Sequence, residues 1–158
     1  MTNHMDFGKG IVSGFAATIV LSALILLQQA TGLMPELKPV DMIMQTLGTQ
    51  SQAIGWVAHF FIGTIVWGVL YAWFDSILPG PYWFRGGIFA MGAWLIVVIF
   101  VMPIVGMKLF GLQMGGMAAI GLFVMHWIYG AVLGSVYGAW TEHEPTETIP
   151  GGHRPGHA

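Results

Sequence analysis

The chain alternates between long apolar runs and short polar breaks. No charged residue lies from Gly10 to Pro35, and none lies between Arg85 and Lys108. Met42–Phe74 and Leu109–Thr141 are also free of Asp, Glu, Lys and Arg. A bilayer core about 30 Å thick is crossed by roughly 20 apolar residues in helical form. With polar ends trimmed, the runs predict transmembrane helices over 10–33, 53–74, 86–107 and 115–140. Four crossings return both termini to one side. The expected fold is an all-α polytopic membrane bundle over residues 1–140, followed by a disordered tail over 141–158 that is rich in Pro, Gly, Thr and Glu.

The breaks carry their own signals. Pro35 and Pro39 stop a helix, and within the longest loop, Glu36–Gln52, Asp41–Leu47 fits a short amphipathic piece on the surface. Leu78–Pro79–Gly80–Pro81 reads as a tight turn between spans two and three. Pro103 removes a backbone hydrogen bond and predicts a kink in span three. Lys9 ahead of an apolar run resembles a signal peptide, but the run is long for one and Gln28–Gln29–Ala30 is a poor cleavage site, so the first span is expected to be retained.

Spans two and four look alike. The stretch from His59 through Gly63 and Val69 to Ala72–Trp73 lies over the stretch from His126 through Gly130 and Val136 to Ala139–Trp140 without a gap. Spans one and three match more weakly, at Phe7–Gly10 against Phe84–Gly87 and at Gly14 near Gly92. The pattern predicts two tandem helical hairpins related by a pseudo-two-fold axis along the membrane normal.

Composition narrows the class. Apolar residues make up 56% and charged residues 8%, against about 25% charged in a soluble domain, so most of the solvent must be lipid. A net charge of −2 gives no reason to expect nucleic acid. Cysteine is absent, which removes disulfides, thiolate metal sites and cysteine nucleophiles. No Asp, Glu, Lys or Arg sits within a span, which argues against ion coupling and voltage sensing. No catalytic constellation is found. Lys9, Arg85 and Arg154 on the terminal side, against Lys38 and Lys108 on the other, favour cytoplasmic termini in a bacterial inner membrane. Tyr71, Trp73, Phe74, Tyr82, Trp83, Phe84, Tyr137 and Trp140 are expected as an interfacial aromatic belt near the terminal side.

Of the 23 glycines, Gly130, Gly134 and Gly138 form a small-residue ridge on span four, with Ala131, Ser135 and Ala139 beside it. Gly10, Gly14 and Thr18 do similar work on span one. Small residues let membrane helices approach where lipid supplies no hydrophobic drive. The same faces also suit a homo-oligomer or a larger membrane complex.

His59 and His126 are the only ionisable side chains deep in the spans. Counted from the predicted span starts, each lies in the first half of its helix, in the half of the bilayer away from the termini. Two diagonal imidazoles facing across the core resemble bis-histidine ligation of haem b, with Gly63 and Gly130 thinning the helix faces for the macrocycle. The plainer use is a hydrogen bond from each His to a neighbouring group, with Thr64, Ser22, Thr18, Ser135 and Tyr129 as candidates; another metal or a quinone-type ligand is a further option. Eleven methionines, with Met34, Met42, Met44, Met102, Met107, Met114 and Met117 toward the non-terminal side, raise a Cu(I) reading, but Met is also a flexible core filler. His143, His153 and His157 in the tail read as solvated, and no metal site is predicted.

Several stretches resemble an uncharacterised family of bacterial four-span membrane proteins, a domain of unknown function. They are Gly32-Leu-Met-Pro-Glu36, Gly55-Trp-x-x-His59-Phe-x-Ile-Gly63 with Val66-Trp67-Gly68, Val101-Met-Pro103 with Leu109-Phe-Gly111, and His126-x-Ile-Tyr-Gly130-Ala-Val-Leu-Gly134. The resemblance covers residues 8–140 and implies the four-span fold but no activity. The functional expectation is a non-enzymatic accessory or scaffold subunit. A haem-binding electron-transfer bundle and a carrier or channel for a small uncharged solute stand as the alternatives.

Overall fold

A computed structural model of the chain describes residues 6–110 and 116–142. The tail histidines His143, His153 and His157, the loop residues Gly111 and Met114, and the predicted span start at 115 lie outside the described residues. Most of the described residues are helical, with no strand among them. Four helices are long and apolar enough to cross a membrane: α1 (Phe7–Thr31), α3 (Gln52–Ile77), α4 (Tyr82–Ile104) and α5 (Gly116–Glu142). The chain is an all-α, multi-pass bundle. Between α1 and α3 lies a short helix, α2 (Pro39–Leu47), which contains the predicted amphipathic piece and buries Val40 and Met42.

Local chemistry sets the ends. The Asp6 carboxylate accepts from the Lys9 backbone N–H at 3.0 Å and caps α1. Gly32, with φ of 67°, closes α1 in the left-handed conformation that glycine adopts without a Cβ penalty. Pro39 opens α2, where its missing N–H costs nothing. Pro81 precedes α4, so span three starts at Tyr82, earlier than the predicted 86.

Two of the spans are not α-helical throughout. Ile62–Val66 in α3 and Val97–Val101 in α4 are π turns. The turn in α4 lies just ahead of Pro103, the site of the predicted kink: proline has no N–H to donate, and the ladder loosens before it. In α3 the Trp67 N–H reaches back to the Ile62 carbonyl, five residues away. The Gly63 carbonyl thereby loses its α-helical donor, and the Tyr129 hydroxyl of α5 donates to it instead.

Two seams made of glycine hold the bundle. A Cβ on Gly10 would collide with the Gly68 carbonyl, and one on Gly68 with the Gly10 carbonyl. Gly14 lies against the Thr64 and Gly63 carbonyls. In the second hairpin Gly86 and Gly130 face each other in the same way, Gly134 meets the Tyr82 carbonyl, and Gly138 meets the Tyr82 ring. Gly92 has open space around its Cβ position, unlike Gly14, near which it falls in the sequence match. Helix α1 also packs on α5, whereas α3 and α4 touch mainly near their connecting turn. The order around the bundle is therefore α3, α1, α5, α4, with a cleft between the two outer members.

The terminal-side end differs from expectation. Tyr71 and Tyr137 do not join an outward aromatic belt but are buried in the core with Ala17, Ala90 and Leu133. Their hydroxyl-bearing rings have polar work to do there. Tyr71 donates to the Asp75 carboxylate at 2.9 Å, and Asp75 pairs with Arg85 at 3.5 Å across the Pro–Gly–Pro turn. Trp73, Trp83 and Trp140 remain exposed. The bundle's outside stays apolar: between 22% and 39% of each span's most apolar window is buried, which leaves the larger part of every span facing outward.

Candidate functional site

The cleft between α3 and α4 leads into a cavity of about 250 Å³. Its walls come from every helix. Leu21 and Ile25 belong to α1; Met42, Ile43, Thr46 and Leu47 to α2; Ile62 and Trp67 to α3; Ala93, Val97 and Val101 to α4; Leu122 and Met125 to α5. Among the described residues no charged side chain lines it. Both π turns border it, through Ile62, Gly63, Val97 and Val101. A π turn adds a residue to the helical circumference and recurs at functional sites.

The structure brings His59 and His126 to this one cavity, but their settings are unlike. His59 is buried, 7% exposed, and its Nε2 lies 3.1 Å from Ser22 Oγ. The Ser22 hydroxyl proton is already committed to the Thr18 carbonyl at 2.7 Å, so Oγ acts as acceptor and His59 Nε2 carries the proton. His126 Nδ1 lies 2.8 Å from the Leu122 carbonyl. A carbonyl only accepts, so Nδ1 carries the proton and Nε2 keeps its lone pair. The two imidazoles are opposite tautomers, each with its N–H bound to the protein. Edge-on contacts with Trp56 and Phe60 further fix the His59 ring.

Among the hydroxyls expected to serve the histidines, Ser22 does so. Thr18 donates to the Gly14 carbonyl, Tyr129 turns inward to Gly63, Ser135 is exposed, and the buried Thr64 hydroxyl has no partner among the described residues. The two glycines expected to admit a macrocycle serve packing. A Cβ on Gly63 would meet Thr18, and one on Gly130 would meet Gly86 and Ala90; Gly63 still borders the cavity, and Gly130 does not.

These residues do not fit a bis-histidine haem. His126 has the form of a ligating histidine, its N–H held by a carbonyl. His59 is held likewise, its Nε2–H on Ser22 and its lone pair at Nδ1, so space and not ring chemistry decides against the macrocycle. An apolar cavity of about 150 Å³ takes benzene, so about 250 Å³ suits a molecule of about two rings, well short of a tetrapyrrole. Among the described residues no cluster of three His, Asp or Glu side chains could hold a metal ion. Of the methionines expected toward the non-terminal side, Met42 lines the cavity, joined by Met125; Met102 is buried in the adjoining core, with Met34 and Met107 packed against it.

Sequence reasoning missed the wall supplied by α2, although its alternation of apolar and polar residues was visible. It also missed the Tyr71–Asp75–Arg85 group, whose signal was a pair of opposite charges flanking a tight turn. A family model described as "Family of unknown function (DUF6789)" matches residues 5–148, which include all four spans. No curated protein and no solved structure matches the chain.

Proposed function

The chain belongs to this family of unknown function, and we propose that it is a non-enzymatic membrane protein that holds a small lipophilic molecule in the cleft between α3 and α4. The observation that carries the reading is the cavity itself: apolar, walled by all five helices, with two imidazoles among its few polar groups. Ligand sites are mostly apolar concavities with a few placed polar groups. A retained binder, or a carrier that exchanges the molecule with the bilayer, would both use it.

An accessory or scaffold role has less support. The ridges of Gly10, Gly14, Gly130, Gly134 and Gly138 that motivate it are filled inside the chain, so they offer no free face to a homo-oligomer or a larger complex. The paired glycine seams, one per hairpin, support a duplicated hairpin origin for the fold. The expected setting is the bacterial inner membrane with both termini in the cytoplasm, supported by Lys9, Arg85 and Arg154 against Lys38 and Lys108.

The reading is tested by photolabelling the protein in lipid nanodiscs with a small apolar diazirine and mapping the adducts by mass spectrometry. Labelling concentrated on Leu21, Ile25, Ile62, Val97 and Leu122 supports it. Even labelling over the outward faces, with those residues spared, rejects it.

A further inference from the structure

The hydrogen-bond inventory of the cavity specifies a head group. Apart from one indole, each polar side chain on its wall spends its proton on the protein. His59 Nε2–H goes to Ser22 and His126 Nδ1–H to the Leu122 carbonyl. The Thr46 hydroxyl donates to the Met42 carbonyl at 2.8 Å and the Tyr129 hydroxyl to the Gly63 carbonyl. What remains are lone pairs, foremost Nε2 of His126 and Nδ1 of His59. Among the described residues no hydrogen-bond acceptor meets the indole N–H of Trp67, whose ring packs edge-on against Phe89.

From this we infer that the occupant is a lipophilic alcohol or phenol, whose hydroxyl donates to His126 Nε2; the inference rests on the cleft-binding reading above. A hydroxyl both donates and accepts, so it answers the imidazole lone pair and can still accept from Trp67. An ether or a carbonyl can only accept and leaves the imidazole unsatisfied in an apolar wall, which is penalised. A cation would find the same lone pairs, but no carboxylate lines the cavity to offset its charge, and an uncompensated charge in such surroundings is far more costly than a neutral polar group. The π turn in α3 is what turns Tyr129 from a free donor into a committed one, because it releases the Gly63 carbonyl. The same irregularity that shapes the wall therefore sets its hydrogen-bond polarity.

The test is protection from the diazirine label by two probes of nearly equal shape, 2-naphthol and 2-methoxynaphthalene, compared at equal concentration in the bilayer. The naphthol is expected to protect the cavity residues at a concentration at least tenfold lower than the ether, and His126→Leu to erase the difference. Equal protection, or stronger protection by the ether, overturns the hydroxyl inference while leaving cleft binding intact. A naphthol preference that survives His126→Leu removes His126 from the role and overturns the assignment. A cavity that takes no label rejects the cleft reading itself. The comparison of the two probes on the unaltered protein decides the head-group question even where the variant does not fold.

Discussion

Gly130→Val tests whether the glycine seam between α4 and α5 holds the second hairpin. A Cβ at residue 130 would overlap the Gly86 carbonyl and come within 2.5 Å of the Ala90 Cβ. Carbon atoms rest at about 3.5–4.0 Å, so the helices must separate by about 1.0–1.5 Å at this point. A gap of 0.5–1 Å already forfeits roughly a quarter to a half of each dispersion contact, and between membrane helices no hydrophobic term compensates. Overpacking of this kind costs about 1–3 kcal/mol, and the rigid backbone partner puts the variant toward the upper end, about 2–3 kcal/mol. The matched control is Gly92→Val on α4, where a Cβ meets nothing within 4 Å; its expected change is within about 0.5 kcal/mol. Reversible unfolding in mixed micelles, or steric trapping in bicelles, reads both. Equal losses for the two variants would refute the seam as the source of the hairpin's stability.

Other outcomes follow from the same geometry. Tyr129→Phe removes the bond to the Gly63 carbonyl and is expected to cost about 0.6–1.7 kcal/mol by the same unfolding assay, the range for interhelical hydrogen bonds in membranes. Nitrogen-15 correlation spectra of labelled imidazoles should show His59 protonated at Nε2 and His126 at Nδ1; a shared tautomer would break the hydrogen-bond assignment made from Ser22 and Leu122. Asp75→Ala leaves the Tyr71 hydroxyl with the longer bond to the Tyr82 carbonyl at 3.4 Å and Arg85 without its ion pair, and should lower stability by about 1–3 kcal/mol, whereas an effect near zero would make the turn's ion pair ornamental.

The fold was legible because its strongest determinant is one-dimensional. Charge-free runs long enough to cross a bilayer locate α1, α3, α4 and α5 without any knowledge of contacts, and the amphipathic stretch Asp41–Leu47 marks α2. The ends were less legible: Pro81 allows a helix to begin at once, so Tyr82 starts α4, while trimming on polarity delayed the start to 86. Which aromatic residues face outward could not be read from a sequence apolar on every side. Tyr71 and Tyr137 differ from Trp73 and Trp140 only in three-dimensional neighbours, Asp75 among them. The histidine pair was visible as rare residues at aligned depth, and Ser22 was within the expected set of partners. The asymmetry between the two histidines was not visible, because it depends on α1 lying against α3, which brings Ser22 to His59. The glycines beside them read as room for a cofactor; contacts at Gly63 and Gly130 show that room to be occupied by Thr18, Gly86 and Ala90. The π turns have no sequence signature apart from Pro103, and they are what shape the cavity wall.

The most direct measurement of the central claim is native mass spectrometry of the protein drawn from its own membranes in a mild detergent, beside an Ile62→Trp variant whose larger side chain fills the cavity. The account predicts a non-covalent adduct of small-molecule mass on the unaltered protein, retained at low collision energy and missing from the filled variant. A bare unaltered protein, or an adduct that Ile62→Trp keeps in equal measure, would contradict it.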